Sequence, residues 1–150
     1  NILKSRNKLQ ESLLVNGSAD LDQAHIHDKD KEFLRRSTEI IHENLGNENF
    51  SVETLASELG ISTTLVYQKH KKLLDVSTSR YIQSLRFNKA VELMGTTDMC
   101  ISEIAYEVGF SDPNYFSRAF KRTYQTTPSK YRNKILNDQK DRPRDEGAAE

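Results

Sequence analysis

The sequence predicts an all-α protein. It has two helix-turn-helix subdomains joined by a long linker helix, about seven helices in all, preceded by a short amphipathic helix and a linker. Three observations predict this. No alternating, strand-like pattern persists anywhere in the 150 residues. One stretch is written twice: Ser51-Val-Glu-Thr-Leu-Ala-Ser-Glu-Leu-Gly-Ile-Ser62 is echoed by Cys100-Ile-Ser-Glu-Ile-Ala-Tyr-Glu-Val-Gly-Phe-Ser111. After a one-residue shift, Ser77-Thr-Ser-Arg-Tyr81 answers Thr127-Pro-Ser-Lys-Tyr131. A repeat of about fifty residues indicates a supersecondary module used twice, and each copy reads helix, glycine turn, helix. Finally, charge is segregated. Residues 1–60 carry 7 basic and 11 acidic groups, whereas 62–90 and 111–134 each carry 6 basic and 1 acidic. Positive charge therefore peaks on the second half of each copy.

The elements follow in order. Ile2, Leu9 and Leu13 share a side with Leu3 and Leu14 alongside, which predicts an amphipathic helix over 1–14. Residues 15–29 are polar, contain Gly17 and read as a linker. Phe33, Leu34, Ser37, Ile40, Ile41 and Leu45 mark the next helix, which Gly46-Asn47 should end by accepting a left-handed conformation. Ser51 can cap a helix that turns Leu55, Ala56 and Leu59 inward, and Gly60 makes the turn to a second helix over about Thr63–Leu74. A linker helix over about Thr78–Met94 carries Tyr81, Ile82, Leu85, Ala90, Leu93 and Met94. At about 1.5 Å per residue it spans about 25 Å, enough to hold two modules about one DNA turn apart. The second module runs from Ile101 to about Tyr124, and a last helix starts near Thr127-Pro128, where proline's missing N–H is harmless. The double module occupies 30–136; residues 137–150, charged and aperiodic, are expected to be disordered.

Composition bounds the function. With 22 basic and 22 acidic residues the chain is no polycation, so the local basic blocks are what a phosphate backbone would feel. Cys100 stands alone, which excludes an internal disulfide and fits a reducing, cytoplasmic compartment. No apolar run approaches membrane-spanning length, and the opening Asn1 reads as the start of a fragment of something longer.

The second helix of each module carries the chemistry. In the first, Val66, His70 and Leu73 share an inward face, while Thr64, Tyr67, Gln68 and Lys71 share the opposite one at i, i+3, i+4, i+7 spacing. In the second, Phe116, Phe120 and Tyr124 point inward, and Asn114, Ser117, Arg118 and Lys121 form the outward stripe. Both stripes offer side chains long enough to reach base edges, then a lysine suited to phosphate. Arg pairs bidentately with guanine, and Asn or Gln with adenine. Ser62 with Thr63, and Ser111 with Pro113, open the two helices, where hydroxyls and helix N–H groups can meet phosphate. A polar outer stripe is also what any solvated helix shows. Two matching stripes, each within a helix-turn-helix and a positive block, favour DNA.

The run Ile104-Ala-Tyr-Glu-Val-Gly-Phe-Ser-Asp-Pro-Asn-Tyr-Phe-Ser-Arg-Ala-Phe-Lys121, continuing to Thr127-Pro-Ser-Lys-Tyr-Arg132, resembles the signature of AraC/XylS-type transcription regulators, and the likeness extends over about Phe33–Arg132. It implies two helix-turn-helix units on a long helix, with both recognition helices in successive major grooves of duplex DNA. It places base reading on Thr64, Tyr67 and Gln68, and on Asn114, Ser117 and Arg118. RNA polymerase is the implied second partner, and neither a cofactor nor a small-molecule ligand is implied. The chain departs from the family pattern where Asp75 and Gln125 replace the glycine after each recognition helix. Either a left-handed non-glycine residue is tolerated, at a cost of about 1 kcal/mol, or the turn differs. Gln68 stands where Arg is usual, and His70 where a large apolar residue is usual; His70 reads as a packed core histidine.

Asn1-Ile-Leu-Lys-Ser-Arg6 and the Leu-rich stretch after it are similar to the segment that follows the receiver domain in hybrid two-component regulators. That likeness implies control by an upstream phosphorelay and self-association through the N-terminal helix or the receiver. His25-Ile-His27-Asp28 lacks the setting of a metal site, and Cys100 is expected to fill a small apolar gap. Two other classes stay open: a helical protein-interaction module, and an enzyme using Cys100.

Overall fold

A computed structural model describes residues 27–141. Among these the regular elements are seven helices: α1 (Asp28–Glu43), α2 (Val52–Leu59), α3 (Thr63–Leu74), α4 (Thr78–Thr96), α5 (Ile101–Glu107), α6 (Pro113–Tyr124) and α7 (Pro128–Asp141). The amphipathic helix expected at 1–14, nearly all of the linker and residues 142–150 lie outside the described residues.

Local chemistry sets most boundaries. Ser51, Ser62 and Ser77 each accept a hydrogen bond from the backbone N–H three residues on, capping α2, α3 and α4. Pro113 opens α6 and Pro128 opens α7. The closure at the turn glycine is the same in both units. Gly60 and Gly109 have φ of +71° and +94°. Ile61 N–H donates to Ala56 O at 3.1 Å, and Phe110 N–H donates to Ala105 O at 2.9 Å. This paired closure satisfies carbonyls that the helix end would otherwise leave orphaned.

Three expectations are corrected. α1 ends at Glu43, before Gly46-Asn47, and neither of those residues is left-handed. Asn44 ends it instead, its side-chain amide donating to Ile40 O at 2.8 Å, while Leu45 turns into the core beyond the helix. Structure does not stop at 137: α7 continues to Asp141 because Ile135 and Gln139 lie over Gly95 of α4, 3.3 and 3.2 Å from where a Cβ would stand. Cys100 fills no gap, being exposed at the start of α5.

Two separate cores divide the molecule. The first gathers Leu34, Ile41, Leu55, Val66, Leu74, Tyr81 and Leu85; the second gathers Phe87, Ala90, Met94, Ile104, Phe116 and Phe120. The division falls within α4. Leu85 and Phe87 are two residues apart, about 200° around a helix that turns about 100° per residue. The buried stripe therefore changes sides at Arg86, and the two units grip opposite faces of the linker helix. At the far end, the Arg132 guanidinium donates to the carbonyls of Met94, Thr97 and Met99, locking α7 to the exit of α4.

Candidate nucleic-acid interface

The inward faces of α3 and α6 anchor the outward ones. Val66, His70 and Leu73 are buried in the first unit, and Phe116, Ala119 and Phe120 in the second. Thr64, Tyr67, Gln68 and Lys71 are exposed on α3; Asn114, Arg118 and Lys121 are exposed on α6, with Ser117 half-buried beside them. Ser62 is the exposed cap of α3, and Thr63 and Pro113 are half-buried first-turn residues. Each helix thus brings its predicted stripe to the surface as one contiguous face. The face joins amide, hydroxyl and guanidinium groups to a terminal lysine, the set suited to base edges and phosphates.

The two helix starts are not equivalent. Ser62 caps α3, but Asp112 rather than Ser111 caps α6, accepting from Asn114 N–H at 2.9 Å. The turn of the second unit holds one residue more, so Ser111 stands exposed before the cap. A carboxylate at this helix start complements the positive end of the helix dipole. It also disfavours a phosphate in the same place.

The helix ends settle the missing glycines. Asp75 and Gln125 are both left-handed, at φ of 57° and 62°, so the turn is kept and the residue bears the strain. Each side chain returns to the last helical turn: Asp75 pairs with Lys71 at 3.2 Å, and Gln125 Nε2 donates to Arg122 O at 2.9 Å. The Asp75 contact partly neutralises the lysine expected to meet phosphate. Lys121, at the matching position, has the uncharged Gln125 four residues on, where the first unit has Asp75.

Behind α3, His70 is fully buried between Ser37 and Thr78. Ser37 Oγ donates to Leu34 O and so accepts at its other contact. His70 therefore carries its proton on Nε2, facing Ser37, and accepts at Nδ1 from the Thr78 hydroxyl 2.8 Å away. Burial lowers its pKa to about 4, so the ring is neutral. This is the core histidine expected, and it orients α3 on α1 and α4. Tyr81, bonded to Thr38 at 2.7 Å, is pushed up to about 12 by burial.

Some surface residues were not singled out from the sequence. Tyr115 and Arg122 flank Arg118 on α6, and both line a wide cleft that α4 closes with Arg80 and Gln83. Their signal was spacing: they stand three residues before and four after Arg118, about one turn each way, on the side away from Ser117. Among the described residues no helix is long and apolar enough to cross a membrane.

Comparison with known proteins now defines the class. A family model described as a helix-turn-helix domain matches residues 55–134. The chain belongs to this family, in its AraC type, and contains a DNA-binding transcription regulator domain. Among curated proteins it is similar to histidine kinase P4 of Formosa agariphila, with 33% identity over 134 residues, 89% of this chain and 10% of that protein. It is also similar to the Msm operon regulatory protein of Streptococcus mutans, with 33% identity over 107 residues, 71% of this chain and 38% of the relative. The chain therefore spans only a minor part of these relatives. Among solved structures, the C-terminal domain of the two-component response regulator yesN from Fusobacterium nucleatum superposes with a TM-score of 0.63 at 34% identity, over 67% of this chain and 98% of that one.

Proposed function

We propose that the domain reads duplex DNA with both units at once, laying α3 and α6 into successive major grooves on one side of the helix. Thr64, Tyr67 and Gln68 read one groove; Asn114, Ser117 and Arg118 read the next. Ser62, Thr63, Lys71 and Lys121 lie along the flanking phosphates, while Ser111 and Pro113 border the DNA at the Asp112-capped start of α6. The observation that carries this is the recurrence, on two helices in the same frame, of an exposed hydrogen-bonding stripe ending in lysine. The domain performs no reaction and recruits RNA polymerase.

Control comes from upstream on the cytoplasmic side, through a phosphorelay whose receiver brings two copies together, aided by residues 1–14. The likeness to a histidine kinase and to a response-regulator domain supports this placement. The test is selection of bound fragments from random duplexes, followed by removal of residues 1–28. Retained affinity for one site with lost cooperativity on a double site supports the scheme. Equal loss of both defeats the coupling, and selection that enriches no sequence defeats the DNA reading.

A further inference from the structure

We infer that Arg86 is the positioning residue that fixes the orientation of the two recognition helices relative to each other, and through it the base-pair spacing the domain accepts between its half-sites. The inference rests on the reading in which both helices contact DNA. It adds a residue that touches no base.

The two cores share no side chain, so burial holds each unit to its own half of α4 but not to the other unit. The connection between them is made at the crossover. Arg86 lies between Leu85, buried in the first core, and Phe87, buried in the second. Its Nη2 donates to Asn47 O, in the loop ahead of α2, at 3.1 Å. Its Nη1 donates to Gly109 O, in the turn ahead of α6, at 3.2 Å. The guanidinium carbon stands 6.0 Å from the centre of the Phe110 ring. One planar, permanently charged group thus spans both units from the helix that joins them, and its fork geometry fixes direction as well as distance.

The surfaces it joins are already in close contact. A Cβ at Gly109 would lie 2.2 Å from Leu45 O, and one at Gly46 would lie 3.1 Å from Glu107 O. The loop after α1 therefore seats directly on the turn of the second unit, and Arg86 closes the seam. Gly109 is only four residues ahead of Pro113, so any tilt at the seam passes straight into α6. A continuous α4 sets how far apart the units stand; the seam sets how they are turned. One base pair of spacing moves a half-site by about 3.4 Å along the DNA axis and turns it around that axis, so a fixed seam makes the protein intolerant of spacer changes.

The experiment uses the full 150-residue chain and a two-half-site duplex obtained by selection, together with the same duplex carrying one or two base pairs more or fewer between the half-sites. The wild-type chain should lose about tenfold in affinity for each base pair added or removed. Arg86→Gln and Arg86→Lys should flatten that profile to within about threefold, at unchanged helix content, because the freed units adjust to either spacing. A structural contribution alone would lower affinity on every spacer by the same factor and leave the profile's shape intact; that result overturns the inference. If Arg86→Gln does not fold, Gly46→Ala decides. It wedges the same seam while keeping the guanidinium, and should shift the preferred spacing; an unchanged preference overturns the inference. A wild-type chain that binds one half-site as tightly as two defeats the two-helix reading itself, and this inference with it.

Discussion

The two helix-turn-helix units share a backbone plan and differ in what fills it. At equivalent places in the recognition helices, Val66 and His70 stand where Phe116 and Phe120 stand. The first core is mainly aliphatic, with Phe33 and Tyr81 packed on the ring of a buried hydrogen-bonded chain, Ser37–His70–Thr78, and Tyr81 bonded to Thr38. The second is a cluster of rings: Phe87 meets Phe110, Phe116, Phe120 and Tyr124 with centroids 5.6–5.9 Å apart, and Tyr131 closes against Phe120 and Tyr124. The turn glycines and the backbone closure they allow, not core chemistry, therefore define the frame. A polar chain gives direction through hydrogen bonds; rings give it through shape. The outer faces differ too. Gln68 and a lysine held by Asp75 make the first face weaker in charge than the second, with Arg118 and an unscreened Lys121.

The sharpest way to break the comparison is to empty one core. Phe120→Ala removes a ring that touches Phe87, Phe116, Tyr124 and Tyr131, and should cost about 3–5 kcal/mol in denaturant unfolding. Val66→Ala, which deletes less, should cost clearly less. If the two prove equal, the aromatic cluster has no special weight.

Acid separates the units next. The unfolded chain binds a proton at His70 near the ordinary pKa of 6.5, whereas the folded chain resists it down to about 4. The unfolded state is favoured as pH falls through that window. Stability should decline by about 2 kcal/mol between pH 7 and pH 5, and by about 3 kcal/mol at pH 4. The loss should appear first in amide exchange of α1, α3 and the start of α4. His70→Leu should remove the slope, whatever its effect at neutral pH. An unchanged slope would locate the acid sensitivity elsewhere.

The reading faces give the next contrast. Arg118→Ala should cost about 1–3 kcal/mol on the selected duplex and relax preference at one base position, with Gln68→Ala costing less. Lys121→Ala should weaken all sequences alike and reduce the slope of log affinity against log salt by about 1. Lys71→Ala should reduce it less, since Asp75 already opposes that charge. Equal slopes would show that the exposed Lys71–Asp75 pair opens on binding, as a weak surface pair readily can.

The smallest effect is at the helix ends. Asp75→Gly and Gln125→Gly should each stabilise by up to about 1 kcal/mol in thermal unfolding, because glycine adopts φ near +60° without strain. The gain at Asp75 should be trimmed by loss of the Lys71 contact.

Much of this was legible in the primary structure. Periodicity at Val66, His70 and Leu73 and at Phe116 and Phe120 told which side of each recognition helix is inward, and so which side is free. Gly60 and Gly109 marked both turns, since few other residues sit there without strain. Other features were beyond it. Matching Ser62 to Ser111 was natural by letter, but the extra turn residue passes the cap to Asp112. Gly46 looked like a helix stop, yet it is small because the second unit approaches it. These depend on contacts between residues distant in the chain, which local pattern does not encode.

The sequence by itself determined that the chain is helical, that it is a module used twice, and which faces are wet. Each follows from spacing within a few residues, where backbone geometry leaves little choice. Only the tertiary structure decided that the buried stripe of α4 changes sides at Arg86, that His70 is held neutral between Ser37 and Thr78, and that one guanidinium joins the two halves. The physical reason is that each depends on where carbonyls and hydroxyls from far along the chain come to rest. Their positions are set by how the helices close on one another, and no local rule specifies that.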